Sequence, residues 1–300
     1  MENIKISILI TTFNAEKFIS NTIESIIQQT HNNYEIIIID NKSTDNTINI
    51  IKKYIKNKII LKCLDKNYGQ TAALNIGLKL CTTDYILRLD ADDIASPNRI
   101  HKQLSHMIKR NLDFMSSQVL YIDENGQLIG KSNFYHVDKK NIYLILLSNP
   151  IAHPSVIIKK DILIKFDGYN EKFIYWQDIE LWMRLIKSAK FEIHPEFLTS
   201  IRIHKNALSK TRSSSISNKR YLEMISLIEN SIKNDNNKID AKYKVLLIIK
   251  RDILLLLLSF KFRVFFKLIM YTIINTHNII FNKFFYLIFY KTIKNRLYKL

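Results

Sequence analysis

Short apolar runs alternate with helical segments over the first ninety residues of the chain. The apolar runs begin at Ile6, Tyr34, Ile59 and Tyr85, and each has the length of a buried strand. Between them, apolar residues recur at three- and four-residue spacing, as in an amphipathic helix, and Asn14 is the expected cap of the first helix. This order of elements predicts a parallel sheet with helices on both faces.

The pattern becomes irregular after Pro97. It predicts a helix to about residue 110, a strand at 114–121 with a hairpin to 128–129, a helix at about 138–147, a strand at 156–158, a helix at about 177–188, and one or two strands in 191–203 broken at Pro195. We expect one domain over residues 1–212, with halves 1–96 and 97–212. A polar linker at 213–217 opens an extension that reaches residue 300.

The extension is helical, apolar and basic. Leu254–Leu258 and Phe284–Tyr290 are apolar runs between basic residues, and neither has the roughly 18 uninterrupted apolar residues of a membrane-spanning helix. We therefore expect interfacial helices with Lys and Arg toward anionic headgroups. The alternative is a helical cap that packs on the domain or on a second subunit in a homodimer.

Charge strengthens the membrane interpretation. The net charge is +18, and residues 241–300 carry twelve Lys or Arg against one acid, so +11 lies in this segment. Such a segment fits an anionic membrane surface or nucleic acid. We favour the membrane and expect no nucleic acid. Two cysteines do not form a disulfide framework, and no signal-peptide pattern opens the chain, so we expect a cytoplasmic protein held peripherally on the inner face of the membrane.

Three acids follow the fourth apolar run. Asp90, Asp92 and Asp93 repel one another unless a cation or a proton offsets their charge. An Asp-X-Asp pair is spaced to hold Mg²⁺ or Mn²⁺, which prefer oxygen ligands and often share them with substrate phosphates. The alternative is a solvated acidic turn that caps the helix after Pro97.

Polar residues also follow the other three strands of the predicted parallel sheet. They are Thr11 to Asn14, Asp40 with Asn41, and Asn67. The carboxyl ends of parallel strands form the ligand-binding edge of an open α/β sheet. A cleft with these groups suits a nucleotide diphosphate compound. The chain has neither the Gly-x-Gly-x-x-Gly of dinucleotide sites nor the Gly-x-x-x-x-Gly-Lys-Ser/Thr of nucleotide triphosphatases.

Residues 4–210 resemble glycosyltransferase family 2. The matching motifs are Ser7–Asn14, Ile39–Thr47, Asn67–Gly69, Ala73–Gly77, Leu89–Asp93, His153–Ser155, Gly168–Asn170, Gln177–Leu185 and Arg202–His204. The resemblance implies the GT-A fold of nucleotide-diphospho-sugar transferases, an α/β fold with a Rossmann-like, mostly parallel mixed sheet flanked by helices. Here that fold carries a C-terminal basic helical extension.

The resemblance makes residues 1–96 the nucleotide-sugar-binding half and residues 97–212 the acceptor-binding half, and it implies the residues that bind the donor. Thr11 and Phe13 would line the nucleobase pocket, and Asp40 or Asn41 would hydrogen-bond the base. Three more residues have roles on the donor side: Asn67 and Asn75 would shape the nucleotide site, and Asp90 would lie near the ribose or the sugar.

On the reaction side, the resemblance makes Asp92 the ligand of Mn²⁺ or Mg²⁺ and places His204 near the metal or the diphosphate. Asp178 would be the general base that takes the acceptor proton. His153 and Trp176 would face the acceptor or donor sugar, although His153 could equally order its loop.

The implied activity is inverting, metal-dependent transfer of a sugar from a nucleotide-diphosphate sugar to a saccharide or lipid-linked acceptor, in cell-surface polysaccharide or glycoconjugate synthesis. Two alternatives are a sugar nucleotidyltransferase and a catalytically inactive module that binds membrane or nucleic acid. Three positions depart from the family pattern. They are Asn41 in place of an acid, Leu74 in place of Arg, and Gln177 in place of Glu.

Overall fold

The computed structural model describes residues 3–56, 58–205, 207, 214–235 and 239–259. The strands in these residues are β1 (Ile6–Thr12), β2 (Tyr34–Asp40), β3 (Ile59–Cys63), β4 (Tyr85–Arg88), β5 (Ile94–Ala95), β6 (Phe114–Ile122), β7 (Leu128–Lys131), β8 (Ile157–Lys159) and β9 (Phe191–Arg202). The helices are α1 (Ile19–Ile27), α2 (Thr47–Lys52), α3 (Gln70–Leu80), α4 (Arg99–Arg110), α5 (Leu144–Leu147), α6 (Lys160–Lys165), α7 (Gln177–Leu185), α8 (Ser214–Asp235) and α9 (Ala241–Ser259). The chain forms two units, residues 1–142 with 149–211 and residues 143–148 with 212–300.

The first four strands form the predicted parallel part of the sheet, in the order β3-β2-β1-β4. Every residue of β1 and β2 is buried, because helices cover both faces of these central strands. In the register, Thr12 lies beside Asp40 and Leu9 lies beside Arg88. The polar residues that follow these strands therefore emerge at one edge.

The second half of the sheet continues in the order β8-β6-β9-β5, with β7 paired to β6. The strand β8 is antiparallel to both β4 and β6, whereas β6 and β9 run parallel. The result is a mixed sheet, as expected for the GT-A fold. The pairing of β5 with β9 places Ile94 beside Ser200, so the segment after the acidic turn lies against the end of β9.

The break expected at Pro195 is a bulge inside one continuous strand. The partners of β6 pass from His194, opposite Ser117, to Phe197, opposite Gln118. Proline has no N–H to give to a ladder, and a bulge accommodates it without ending the strand.

Two helix predictions are wrong. Residues 139–143 are turns rather than helix, and only Leu144–Leu147 is helical, because the Asp138 carboxylate accepts hydrogen bonds from the N–H groups of Lys140 and Asn141. Asn14 does not cap the first helix, which begins at Ile19. It has a positive φ of 50°, and its side chain accepts from the N–H of Thr44.

The second unit contains α5, α8 and α9. The helix α9 contacts both α8 and α5, and Lys250 of α9 donates to the carbonyl oxygen of Leu146. Helix α8 begins at Ser214, within the stretch expected to be a polar linker. No helix among the described residues is long and apolar enough to cross a membrane. The run Phe284–Tyr290, and residues 260–300 in general, lie outside the described residues.

Candidate active site

The edge of the sheet where β1, β2 and β4 end collects most of the predicted site residues. Asn41 donates its backbone N–H to the carbonyl of Thr12 over 2.8 Å, which joins the ends of β1 and β2. Thr11 is buried, whereas the ring of Phe13 is 49% exposed at the end of β1. A half-exposed aromatic ring at this edge offers a stacking surface for a planar ligand.

Asp40 and Asn41 differ in how their side chains are used. The Asp40 carboxylate accepts from the N–H of Ser43 at 3.0 Å, and its other oxygen, Oδ1, is buried without a hydrogen-bond partner among the described residues. The Asn41 amide donates to Asn67 Oδ1 at 2.8 Å and accepts from the N–H of Tyr68 at 2.9 Å. Because an Asp at position 41 could not donate to Asn67, the departure from the family pattern has a local structural reason.

The acidic turn after β4 brings three carboxylates together. Oxygen atoms of Asp90, Asp92 and Asp93 all lie within 4.8 Å of one another. Burial raises the pKa of Asp90, Arg88 opposes the rise, and Asp92 adds to it. Burial and the charges of Asp92 and Asp90 raise the pKa of Asp93 well above its usual range. Such a cluster is relieved by a cation or by proton uptake.

Buried arginines surround this turn. Arg88 forms an ion pair with Asp90, and Arg99 donates to the carbonyl of Arg88 at 2.9 Å. Arg202 donates its backbone N–H to Asp93 Oδ1 at 2.9 Å and its side chain Nε to the carbonyl of Asp92 at 3.0 Å. These contacts fix the backbone of the turn, so that the orientations of its carboxylates are set before a ligand binds.

The residues of the acidic turn fit a divalent cation. Carboxylate oxygens are the ligands that Mg²⁺ and Mn²⁺ prefer. Asp93 Oδ2 is buried without a hydrogen-bond partner among the described residues, as expected of an oxygen reserved for a ligand or a proton. Asp92 is more exposed than Asp93, with 27% of its side chain accessible to solvent, and its Oδ2 lies 2.8 Å from His204 Nε2.

Helix α3 positions the segment that leads to Asp178. Thr71 donates its hydroxyl to the carbonyl of Phe173 at 2.7 Å. The Asn75 amide accepts from the N–H of Tyr169 at 2.9 Å and donates to the carbonyl of the same residue at 2.8 Å. In the structure Asn75 therefore orders the loop before α7, whereas its predicted role toward the nucleotide stays a prediction.

Two glutamines connect the acidic turn to α7. Gln177 donates its amide to Gln70 Oε1 at 3.2 Å, and Gln70 donates to Asp90 Oδ1 at 3.4 Å. A Glu at position 177 could not donate a hydrogen bond to Gln70. The presence of Gln177 in place of the family's Glu therefore has a local structural reason. Asp178 follows directly, in the first turn of α7.

Asp178 is the carboxyl whose properties best suit a general base. Burial raises its pKa to about 6, and the charge of Asp90 adds to the rise. Backbone N–H groups at the start of α7 and the amide of Asn149, at 3.1 Å, act in the opposite direction. A base with a pKa close to the working pH accepts a proton effectively and is still ionised before the reaction.

His153 and Trp176 occupy different environments. His153 is only 7% exposed, lies 2.9 Å from the hydroxyl of Tyr169 through Nε2, and contacts the ring of Trp182 edge-on. Burial lowers the pKa of His153 well below its usual range, so the ring is neutral. This environment supports the loop-ordering alternative rather than a sugar contact. Trp176 is half-buried at the N-cap of α7, beside Asp178 in sequence.

Four residues of the site carry no signal of their role in the sequence pattern: Gln70, Arg88, Arg99 and Asn149. Arg88 lies in a predicted strand, Arg99 lies in a predicted helix and Gln70 lies where another predicted helix begins, so that none of the three has a position that indicates a site. Asn149 stood beside Pro150 in a predicted extended loop. An Asn before a proline indicates a turn, but the carboxylate that its amide reaches is 29 residues away.

Comparisons with known proteins show which family this chain resembles in sequence. The family described as Glycosyl transferase family 2 matches residues 7–166. The uncharacterized glycosyltransferase MJ1057 of Methanocaldococcus jannaschii is 35% identical over 221 residues, which are 71% of this chain and 76% of that protein. The UDP-Glc:alpha-D-GlcNAc-diphosphoundecaprenol beta-1,3-glucosyltransferase WfgD of Escherichia coli is 30% identical over 71% of this chain and 82% of its own length.

Solved structures show the same fold. S. aureus TarS 1–349 in complex with UDP-GlcNAc has a TM-score of 0.66 at 20% identity, over 84% of this chain and 73% of that one. The mannosyltransferase PcManGT of Pyrobaculum calidifontis, in complex with GDP-Man and Mn²⁺, has a TM-score of 0.59 at 13% identity, over 91% of this chain and 76% of that one. The chain therefore has the GT-A fold predicted from its sequence.

Proposed function

Because the chain belongs to glycosyltransferase family 2, we propose that it transfers a sugar, with inversion, from a nucleotide-diphosphate sugar to a saccharide or lipid-linked acceptor in surface polysaccharide or glycoconjugate synthesis. The observation that carries the proposal is that the acidic turn after β4 and Asp178 at the start of α7 lie close enough for the charge of Asp90 to raise the pKa of Asp178. Two hydrogen bonds, from Gln177 to Gln70 and from Gln70 to Asp90, also connect the neighbour of Asp178 to the acidic turn.

The donor nucleotide is proposed to bind at the ends of β1 and β2. Phe13 offers its exposed ring to the base, and Asp40 or Asn41, at and just after the end of β2, is proposed to hydrogen-bond the base. Asn41 and Asn67 hold the loop that closes this pocket, and Asp90 faces the ribose or the sugar. The complexes of TarS with UDP-GlcNAc and of PcManGT with GDP-Man support a nucleotide-sugar donor.

Asp92, with His204 and the neighbouring acids, is proposed to hold Mn²⁺ or Mg²⁺. A divalent cation there would offset the negative charge that develops on the diphosphate as it leaves. The complex of PcManGT with Mn²⁺ supports this assignment. The buried arginines keep the carboxylates in place, so that the site needs little rearrangement on binding.

Asp178 is proposed to accept the proton of the attacking hydroxyl. The acceptor oxygen forms a bond to the anomeric carbon, its proton passes to the Asp178 carboxylate, and the bond to the diphosphate oxygen breaks with its electron pair. Attack on the face opposite the leaving group inverts the anomeric centre, and the transition state has oxocarbenium character, as in glycoside hydrolysis.

The decisive experiment is nucleoside diphosphate release from a panel of nucleotide sugars, with Mn²⁺, with Mg²⁺ and with a chelator. We expect metal-dependent release from one donor, and its loss in Asp92→Ala. Release that continues unchanged in chelator would contradict metal dependence. Neither release nor donor binding from any nucleotide sugar would favour the alternative of an inactive binding module.

We also propose that residues 241–300 attach the enzyme to anionic bilayers at the cytoplasmic face. The observation in favour is the net +11 charge of this segment together with its apolar runs. The name of WfgD, which describes a diphosphoundecaprenol acceptor, supports a membrane location for the acceptor. The 300-residue chain should pellet with phosphatidylglycerol vesicles and not with phosphatidylcholine vesicles. Exchange of Lys261, Arg263 and Lys267 for Glu should abolish pelleting. Unchanged pelleting of this variant would contradict the proposal.

A further inference from the structure

Asn149 has a side chain whose orientation is set by two hydrogen bonds. Its Oδ1 accepts from the backbone N–H of Ile151 at 3.1 Å, which closes a turn across Pro150. Its Nδ2 donates to Asp178 Oδ2 at 3.1 Å. Because the carbonyl end of the amide is engaged by a backbone donor, the NH₂ end must face the carboxylate.

The turn that carries Asn149 is rigid. Pro150 fixes one backbone dihedral, and Ile151 is fully buried, so the turn has little freedom to move away from α7. Asn149 itself is half-buried, and Asp178 is half-buried opposite it. The amide thus reaches the carboxylate from a fixed support rather than from a mobile loop.

We propose that Asn149 is a positioning residue for Asp178, which holds the carboxylate toward the acceptor and stabilises its ionised form. This inference rests on the proposed function, in which Asp178 is the general base. A donated hydrogen bond to a carboxylate favours the charged state, and it leaves the other carboxylate oxygen to receive the acceptor proton. The amide itself exchanges no proton in the reaction.

The other side chains that the structure describes around Asp178 do not stabilise its ionised carboxylate, so the hydrogen bond from the Asn149 amide matters for its ionisation. Asp90 carries the same charge and favours the protonated form. Burial raises the pKa of the Tyr169 hydroxyl and lowers the pKa of its partner His153, so both are neutral. On α7 itself, Glu180 forms an ion pair with Arg184. With burial and Asp90 both opposing ionisation, the hydrogen bonds from the start of α7 and from Asn149 keep the base available at neutral pH.

The substitution Asn149→Asp tests the hydrogen bond to Asp178 separately from the hydrogen bond that closes the turn. It is isosteric, and it keeps an oxygen for the N–H of Ile151, but it replaces the donor that faces Asp178 with an acceptor that carries a negative charge. Asn149→Ala removes both contacts. Asn170→Ala is the matched control, because Asn170 donates its amide to Glu180 on the same helix at 3.4 Å without touching Asp178.

The experiment has two readouts. The first is the pH titration of the Asp178 carboxyl by ¹³C NMR of protein labelled at aspartate, with the signal assigned by its absence in Asp178→Asn. The second is the acidic limb of the pH profile of kcat/KM for transfer. Both midpoints should rise by about one pH unit in Asn149→Ala and by more in Asn149→Asp. They should not move in Asn170→Ala.

Titration of Asp178 at the wild-type midpoint in Asn149→Asp would overturn the inference and reduce Asn149 to a turn residue. The NMR readout needs no substrate, so this result is distinct from failure of the proposed function. That failure would appear as full transfer activity in Asp178→Asn, whatever the variants at position 149 do.

Discussion

His204 Nε2 lies 2.8 Å from Asp92 Oδ2, although 112 positions separate the two residues in the chain. The contact forms because β5 pairs with β9, which brings the segment after the acidic turn against the end of β9. The backbone N–H of Arg202 donates to Asp93 at the same place. The end of β9 thus completes the site that the acidic turn begins.

Asp92→Asn should weaken Mn²⁺ binding in the presence of a nucleoside diphosphate by tenfold or more, about 1.4 kcal/mol, because a neutral amide oxygen replaces a charged ligand. His204→Gln should weaken it less. Isothermal titration calorimetry measures both. Asp138→Asn is the control, since this carboxylate accepts backbone N–H groups in the 138–141 turn. Wild-type Mn²⁺ affinity in Asp92→Asn would exclude Asp92 as a ligand.

Transfer should lose rate as the pH falls through about 6. The pKa of Asp178 is raised to about 6 by burial, so below that pH the base is protonated and cannot accept the acceptor proton. Asp178→Asn should lower the transfer rate by about 100- to 10,000-fold and leave donor binding intact. Initial rates across pH and calorimetry with the donor test both statements.

The control for the variant Asp178→Asn is Asp161→Asn, which removes an exposed first-turn acid from a different helix, α6. The dependence of its transfer rate on pH should match that of the wild type. A wild-type profile that stays flat from pH 5 to pH 8 would show that another group takes the proton.

Glu35 should make the fold sensitive to acid. Burial alone would raise the pKa of Glu35, but hydrogen bonds from Lys5, Ser7 and Thr82 outweigh it and lower the pKa to about 2. The group therefore stabilises the fold above the ordinary pKa of 4.5, and this contribution is lost as the pH falls from 4.5 toward 2. Glu35→Gln should cost about 2–3 kcal/mol at pH 7 in urea unfolding.

The stability difference between wild type and Glu35→Gln should narrow as the pH is lowered below 4.5. Glu196→Gln provides the comparison, because Glu196 forms an exposed ion pair with Lys102. That variant should change the free energy of unfolding by less than about 1 kcal/mol. A gap between Glu35→Gln and wild type that is the same at pH 7 and pH 3 would disprove the linkage.

Gly77→Ala should destabilise the parallel part of the sheet, which β1 to β4 form. A Cβ at position 77 of α3 would come within 2.3 Å of Leu9 Cδ1 and 3.0 Å of Ile39 Cγ1. Both neighbours are buried side chains of central strands, so they have little room to move. The expected cost is about 1–3 kcal/mol in the free energy of unfolding.

Gly130→Ala is the matched control for Gly77→Ala. There the nearest atom to a new Cβ, in Tyr121, is 3.6 Å away, which is an ordinary contact distance. Thermal or urea unfolding compares the two variants. Equal stability of Gly77→Ala and Gly130→Ala would show that α3 does not lie as close to β1 as the structure places it.

The first half of the fold was predictable from the sequence because its signals are local. Continuous apolar runs with short loops identify β1 to β4, and parallel strands separated by helices leave few possible arrangements. The acids at positions 90, 92 and 93 are close in sequence, so their clustering needs no tertiary information. The start of α7 at Gln177, which places Asp178 in its first turn, also follows from the local pattern.

Only the tertiary structure decided which distant residues meet. The insertion of antiparallel β8 between β4 and β6 is a long-range pairing, and periodicity along a strand does not specify its partner. The contacts of His204 with Asp92 and of Asn149 with Asp178 depend on that arrangement. Sequence pattern thus determined which chemical groups the protein carries at its strand ends, and packing of the whole sheet determined their partners, because contacts across 29 or 112 residues depend on the complete fold.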